Sequence, residues 1–318
     1  MKKIFISLLL IFVTETVFAD QIIKTNSPDG RIQLVLIHRT DGSLVYNINY
    51  KGRAVVLQSG LGMKFNKPDL SLLRFSLLQI DSSFYDDTWK PAWGEVSSIR
   101  NHYKQLVLKL TDRSGSEIQC EIIFRVFNEG VGFRYSFPQQ SKLNHFIIAE
   151  ELTQFKLTGD HKTFWIPGDY DTNEFMYNTS KLSLVDAGSG AMSQEIFAKT
   201  FFDKNAVQTP LMMKTAEGLY INIHEAALVN YPAMNLVINK STNTLNAHLV
   251  PDAVGNKAYL QTPAVSPWRT VIISDKATEI LAANKMILNL NEPSKIQDES
   301  WIKPQKFVGV WWEMHIGK

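Results

Sequence analysis

Cysteine is almost absent. Cys120 stands alone, which excludes an internal disulfide. It lies in the alternating stretch 117–124, where a small buried thiol fits better than a reactive one. Charge of one sign is lacking too. The 33 Lys and Arg nearly balance the 31 Asp and Glu, for a net charge of +2, and no long basic block occurs. A nucleic-acid-binding surface therefore has no electrostatic footing. There is no Gly-rich phosphate loop, no Cys/His spacing suited to zinc and no serine nucleophile elbow. Long apolar runs are missing beyond the first 18 residues, so no other segment approaches a membrane span. Helical periodicity is scarce.

What is present begins with a basic start, Met1-Lys2-Lys3, followed by the mostly apolar residues 4–18 and the small-residue ending Val17-Phe18-Ala19. Thr14, Glu15 and Thr16 interrupt the apolar core. This pattern predicts a secretory signal peptide over residues 1–19, cleaved after Ala19. An exported chain without disulfides fits a bacterial periplasm, where a large core replaces cross-links.

The mature part reads as β-structure. Apolar or alternating runs at 32–37, 44–50, 106–110, 120–127 and 132–137 are separated by turn residues such as Ser27-Pro28-Asp29-Gly30 and Asn128-Glu129-Gly130. Further runs at 219–224, 234–238, 245–250 and 268–273 continue the series. Regular strands at short spacing over most of the chain predict a large antiparallel sandwich. The best helix candidate is 275–284, with an Asp or Ser cap ahead of it. Residues 186–206 read as loop, and 290–304 as a linker. The closing run 307–318 opens as an apolar strand with no neighbour behind it to pair. The expectation is that this chain is the front part of a longer protein and ends on the first strand of a second domain. If that domain is a (β/α)8 barrel, Trp311, Trp312 and Glu313 fall at the active-site end of the strand.

Few residues carry chemistry on their own. Asp169, Asp171 and Asn173 match the opening alternation of a calcium loop, but Glu174 stands where that loop needs Gly and Ser180 where it needs Glu. This is not an EF-hand. It either lends one or two carboxylates to a hard cation or is a surface loop whose Asp and Asn cap turns. The residues by themselves favour the second reading. Trp89 and Trp93, near Arg100, Asn101, His102 and Tyr103, suit sugar stacking, although tryptophans in a sandwich more often pack in a core or between domains. His224-Glu225 suggests an acid/base pair or, more simply, a satisfied loop histidine.

Several longer stretches together resemble glycoside hydrolase family 97, the bacterial α-glucosidases and α-galactosidases of Bacteroides-type polysaccharide utilisation systems. They are Trp89-Lys90-Pro91-Ala92-Trp93-Gly94-Glu95, Arg100-Asn101-His102-Tyr103, Phe127-Asn128-Glu129-Gly130-Val131-Gly132-Phe133-Arg134-Tyr135, Trp165-Ile166-Pro167-Gly168-Asp169-Tyr170-Asp171-Thr172, the run 219–228 and Gly309-Val310-Trp311-Trp312. The resemblance covers nearly all of the mature chain and is nearest to the calcium-dependent, inverting α-glucosidase branch.

It implies an all-β fold, a galactose-mutarotase-like β-super-sandwich over 20–292, then a linker and the first barrel strand over 293–318. It implies that the acid and base carboxylates lie on the barrel, so that this chain holds no catalytic residue and is inactive alone. It further implies that Glu174 is a ligand of an active-site calcium completed by residues beyond this chain, and that Trp311 contacts substrate. The implied partners are an oligosaccharide with a terminal α-glucosyl or α-galactosyl unit and the catalytic barrel in cis. Residues 186–206 depart from the family pattern. The rival expectation is a free-standing carbohydrate-binding or mutarotase-like sandwich without hydrolytic function.

Overall fold

The computed structural model describes residues 19–196 and 199–307. The signal peptide, the expected barrel strand and Trp311 lie outside the described residues, apart from Ala19 and Phe307 at their edges. The described part is built on three antiparallel sheets. An eight-stranded sheet runs in the order Gln21–Asn26, Ile32–His38, Leu44–Tyr50, Arg53–Gly60, Gln154–Leu157, Thr244–Leu249, Met234–Asn239, Ala206–Gln208. A ten-stranded sheet runs Asn178–Lys181, Lys162–Trp165, Leu211–Lys214, Tyr220–Ala226, Trp268–Ser274, Gly130–Phe137, Gln119–Phe127, Ile99–Asp112, Phe75–Trp89, with Ala264–Val265 pairing Gly130–Phe137 off that path. A small sheet of Ala258–Gln261, His145–Glu151, Met63–Lys67 and Leu70–Leu72 completes the set. The expected antiparallel super-sandwich is what the chain forms.

Period-two alternation builds the core. Ile32, Leu34 and Leu36 point inward from one strand, and Cys120, Ile122, Phe124 and Val126 from another; all are buried in a single apolar cluster. Burial pushes the Cys120 thiol up to about 12, so it is an inert core group, as its alternating context suggested.

One charged cluster is buried with the core. Arg269 is 0% exposed. Its Nε and Nη2 donate to Glu151 Oε1 (2.8 Å) and Oε2 (2.7 Å), and its Nη1 to Glu225 Oε2 (2.6 Å). The Thr153 and Tyr231 hydroxyls also donate to Glu151. Burial disfavours the Arg269 charge, but the two carboxylates more than restore it. Burial pushes the Glu225 carboxyl up, and Arg269 opposes this. The cluster joins the small sheet to the centre of the ten-stranded one.

The outer face of the ten-stranded sheet is covered by two short helices, Ala277–Ala282 and Asn284–Asn289. Met286 and Leu290 pack with Tyr103, Phe127 and Trp268. Gly132 permits this approach, since a Cβ there would lie 2.9 Å from a Leu290 methyl. Trp268 is flanked by the guanidinium groups of Arg125 (4.7 Å) and Arg134 (4.5 Å).

Three expectations need correction. The helical region extends past 284 to Asn289, and Leu290, assigned to the linker, is buried, because the apolar face of the second helix closes over Trp268. Asp275 does not cap the first helix. It accepts from Tyr50 Oη (2.9 Å) and Lys51 Nζ (2.5 Å), while Ser274 Oγ accepts from Lys276 N (3.0 Å). Finally, residues 186–206 are not all loop. Ala187–Met192 is helical, and the Asp186 side chain accepts from Ser189 N.

Candidate functional site

The strand Lys162–Trp165 leaves the ten-stranded sheet into Ile166-Pro167-Gly168, and the chain turns at Asp169. Pro167 bridges to Val207 and Asp169 to Phe201, so the segment is clamped from behind. Gly168 is required here: a Cβ would lie 2.5 Å from Ala206 Cβ.

Asp169 is buried and faces inward. Its Oδ1 accepts from Asp171 N (2.9 Å), Thr172 N (3.1 Å) and Thr200 Oγ1 (2.7 Å), and its Oδ2 from Thr200 N (2.8 Å). Partial burial alone would raise its pKa. The hydrogen bonds to Asp171, Thr200 and Thr172 outweigh that and hold the carboxyl below its ordinary value. Gln208 Nε2 donates to Pro167 O (2.9 Å) and Thr172 O (2.7 Å), and Asn235 Nδ2 to Asp169 O (3.2 Å). The Tyr170 ring stacks on Phe202 at 4.4 Å and its hydroxyl meets His248 Nε2 at 2.8 Å. Burial lowers His248 to about 4, so this imidazole is neutral at physiological pH.

This scaffold fixes Glu174. Its backbone N donates to Thr172 Oγ1 (3.2 Å), and the next residue, Phe175, is buried against Ile166 and Ala191. Between those two anchors the Glu174 side chain faces outward. Among the described residues its carboxylate enters no hydrogen bond and no ion pair. Asp171 and Asn173 are exposed beside it. A cavity of about 310 Å³ lies against the loop, lined by Tyr170, Asp171, Asn173, Gln208, Glu225 and Asn235.

The surrounding surface is apolar. Met176 (76% exposed), Tyr177 (62%) and Met192 (79%) stand out near the loop, where Gln194 Oε1 accepts from Met176 N. Isolated exposed apolar residues are ordinary, but three around one loop suit a covered surface.

Asp169, Asp171 and Asn173 thus separate by role. The first is consumed in folding the loop and is not free for a cation. Among the described residues no group of three His, Cys, Asp or Glu side chains converges. A calcium ion takes six to eight oxygens. The donor set fits Glu174 as one ligand of a cation whose other ligands come from elsewhere.

Of the other candidates, Glu225 reaches the cavity beside this loop, where Arg269 already pairs with it, and the rest lie elsewhere among the described residues. Trp89 and Trp93 sit on the hairpin at the opposite edge of the ten-stranded sheet, seven strand positions away, or roughly 34 Å along the sheet at ordinary strand spacing. Trp89 Nε1 donates to Asn289 Oδ1 (2.8 Å), and Trp93 is 60% exposed rather than core. Arg100 is held by Asp86 through two bonds of 2.7 Å. His224 and Glu225 are consecutive residues of one strand and face opposite sides, so they form no acid/base pair. His224 is in a strand rather than a loop, and its buried Nδ1 has no partner among the described residues. Sequence reasoning missed Thr200, Gln208 and Asn235. All three are ordinary polar residues far along the chain, and only the fold places them at the loop.

An all-antiparallel sandwich of this size, with a rigid carboxylate loop at one edge, defines a β-super-sandwich domain. The profile of the glycosyl-hydrolase 97 N-terminal domain matches residues 25–293, and the chain belongs to that family. Among curated relatives it is 25% identical to a retaining alpha-galactosidase of Bacteroides thetaiotaomicron, over 98% of this chain and 47% of that one. It is also 25% identical to a probable retaining alpha-galactosidase of Streptomyces bingchenggensis, over 90% of this chain and 40% of that one. Among solved structures it resembles a glycoside hydrolase family 97 enzyme from Pseudoalteromonas sp. strain K8, with a TM-score of 0.79, 31% identity, and coverage of 92% of this chain and 41% of that one. That enzyme has been solved with acarbose and, as a variant, with panose. The chain therefore spans less than half the length of these relatives.

Proposed function

We propose that this chain is the N-terminal domain of a periplasmic, exo-acting α-glycosidase, a calcium-dependent inverting α-glucosidase, that removes terminal α-glucosyl units from oligosaccharides. The observation that carries the reading is the outward Glu174 carboxylate, without a partner among the described residues, on a loop fixed from beneath by Asp169. A bound calcium supplies positive charge that polarises the site and helps bind the sugar. This domain's own part is to hold Glu174, to wall one side of the pocket with the 169–174 loop, and to exclude water through the apolar rim of Met176, Tyr177 and Met192. Hydrolysis needs two carboxylates, which in an inverting enzyme stand far enough apart to admit a water. They belong to a (β/α)8 barrel in cis. Trp311, on the first strand of that barrel, contacts the substrate.

The gluco-preference is supported by the 31% identity to an enzyme solved with panose, an oligosaccharide of α-linked glucose. The names of the curated relatives, at 25% identity, favour a second reading, a retaining α-galactosidase. Both readings are tested by assaying the full-length protein on p-nitrophenyl α-glucoside and α-galactoside, with and without chelator, and following product anomer by NMR. Chelator-sensitive glucosidase activity with inversion is expected. Chelator-insensitive galactosidase activity with retention would establish the second reading. Absence of both activities would leave a carbohydrate-binding or mutarotase-like sandwich.

A further inference from the structure

We infer that Asp169 and Thr200 are positioning residues for the Glu174 carboxylate, and that Thr200 and Phe202 buttress the metal loop. This inference rests on the reading of Glu174 as a calcium ligand.

Thr200 bonds the loop at three points. Its N and Oγ1 both donate to the Asp169 carboxylate (2.8 and 2.7 Å), and Oγ1 accepts from Tyr170 N (2.9 Å). Asp169 passes the restraint on, accepting from the backbone N of Asp171 and Thr172. The Thr172 hydroxyl then accepts from Glu174 N (3.2 Å). The path from Thr200 to the backbone of Glu174 is therefore a continuous chain of hydrogen bonds, each within ordinary length. Stacking of Tyr170 on Phe202, at 4.4 Å and 10° between ring planes, fixes the same segment from its other side.

The physical reason for such an arrangement is entropic. A six-residue turn carrying an exposed carboxylate would sample many directions. A ligand whose backbone is held in one place has less freedom left to lose when a cation binds. Partners that orient a metal ligand typically contribute about 10- to 100-fold to metal affinity. The region delivers the contacts that set the loop. Nothing in residues 186–206 signals this role, because a threonine hydroxyl is ordinary in any loop.

The test uses the full-length protein and four variants, Thr200→Val, Thr200→Ser, Asp169→Asn and Glu174→Gln. Two quantities are read for each: calcium affinity by isothermal titration calorimetry on the chelated protein, and the thermal midpoint without calcium. Thr200→Val removes the hydroxyl but keeps size and backbone. It should weaken calcium binding about ten-fold. Thr200→Ser should restore affinity to within about two-fold of the parent, since it keeps the hydroxyl. Asp169→Asn places an amide against Thr200 N in place of one acceptor and should weaken binding by at least as much as Thr200→Val. Glu174→Gln should weaken it more than any of these.

The outcomes separate the inference from the reading beneath it. If Glu174→Gln lowers affinity but Thr200→Val and Asp169→Asn do not, the positioning role is wrong and the ligand assignment stands. If Glu174→Gln leaves affinity unchanged, the ligand assignment fails and the positioning role fails with it. If Thr200→Val loses its melt rather than its affinity, a purely structural role is indicated. Recovery of affinity in Thr200→Ser, at an unchanged melting midpoint, is the result that supports positioning.

Discussion

At the scale of single residues, burial decides what each charged group can do. Asp169 and Glu174 are five positions apart, and both are carboxylates in a loop. One is turned inward and saturated by four donors, while the other faces solvent with none among the described residues. Arg269 is a third case, a cation in the core compensated by two carboxylates. Replacing one partner of such a cluster leaves the others charged and dry. Arg269→Met should therefore destabilise the domain by about 3–5 kcal/mol, since Glu151 and Glu225 would lose the one cation paired with them among the described residues. Urea unfolding followed by tryptophan fluorescence checks this. A loss of under about 1 kcal/mol would mean that the two carboxylates take up protons at little cost.

At the scale of elements, the 169–174 turn draws its stability from one ionised side chain, and this gives it a pH signature. The Asp169 carboxyl is held below its ordinary value, so the unfolded state binds its proton more readily than the folded state. Its contribution is fully present above the unfolded value of about 3.9 and is lost as pH falls through the depressed folded value. The expected outcome is that the stability difference between the parent and Asp169→Asn is constant from pH 7 to pH 5 and shrinks below about pH 4. Urea midpoints of both proteins across that range measure it. A difference that grows on acidification would contradict the assignment of Asp169 as an ionised acceptor.

The same scale shows how far patterning reaches. The strands were legible because each inward residue alternates with an outward one, as in 120–126. The second helix, Asn284–Asn289, was not. It has six residues and no capping side chain, and it is helical because Met286 and Leu290 have Trp268 to pack against. The first helix likewise has Lys276 at its N-cap and no side-chain cap, because Asp275 is drawn off by Tyr50 and Lys51 from a distant hairpin.

At the scale of the whole molecule, the edge bearing Glu174 combines a fixed polar loop with Met176, Tyr177 and Met192, all exposed. A surface of that kind associates when nothing covers it. The 318-residue chain produced alone should self-associate at high concentration, and Tyr177→Ser with Met192→Ser should reduce this. Sedimentation velocity provides the measurement. A chain that stays monomeric at high concentration would argue against a covered interface here. The hairpin of Phe75–Trp89 and Ile99–Asp112 stands at the far edge of the same sheet, so its exposed Trp93 belongs to a different surface.

The sequence by itself determined the strand-rich class and the inert buried cysteine, because alternation and composition act locally and are written residue by residue. It also carried enough family-specific stretches to place the chain among the family 97 hydrolases. Only the tertiary structure decided which carboxylate of the 169–174 loop is free, since Asp169 and Glu174 look equally available until Thr200, Gln208 and Asn235 are brought beside them. Those contacts join residues some 30 to 70 positions apart in the chain, and no local pattern encodes a hydrogen bond closed over that distance.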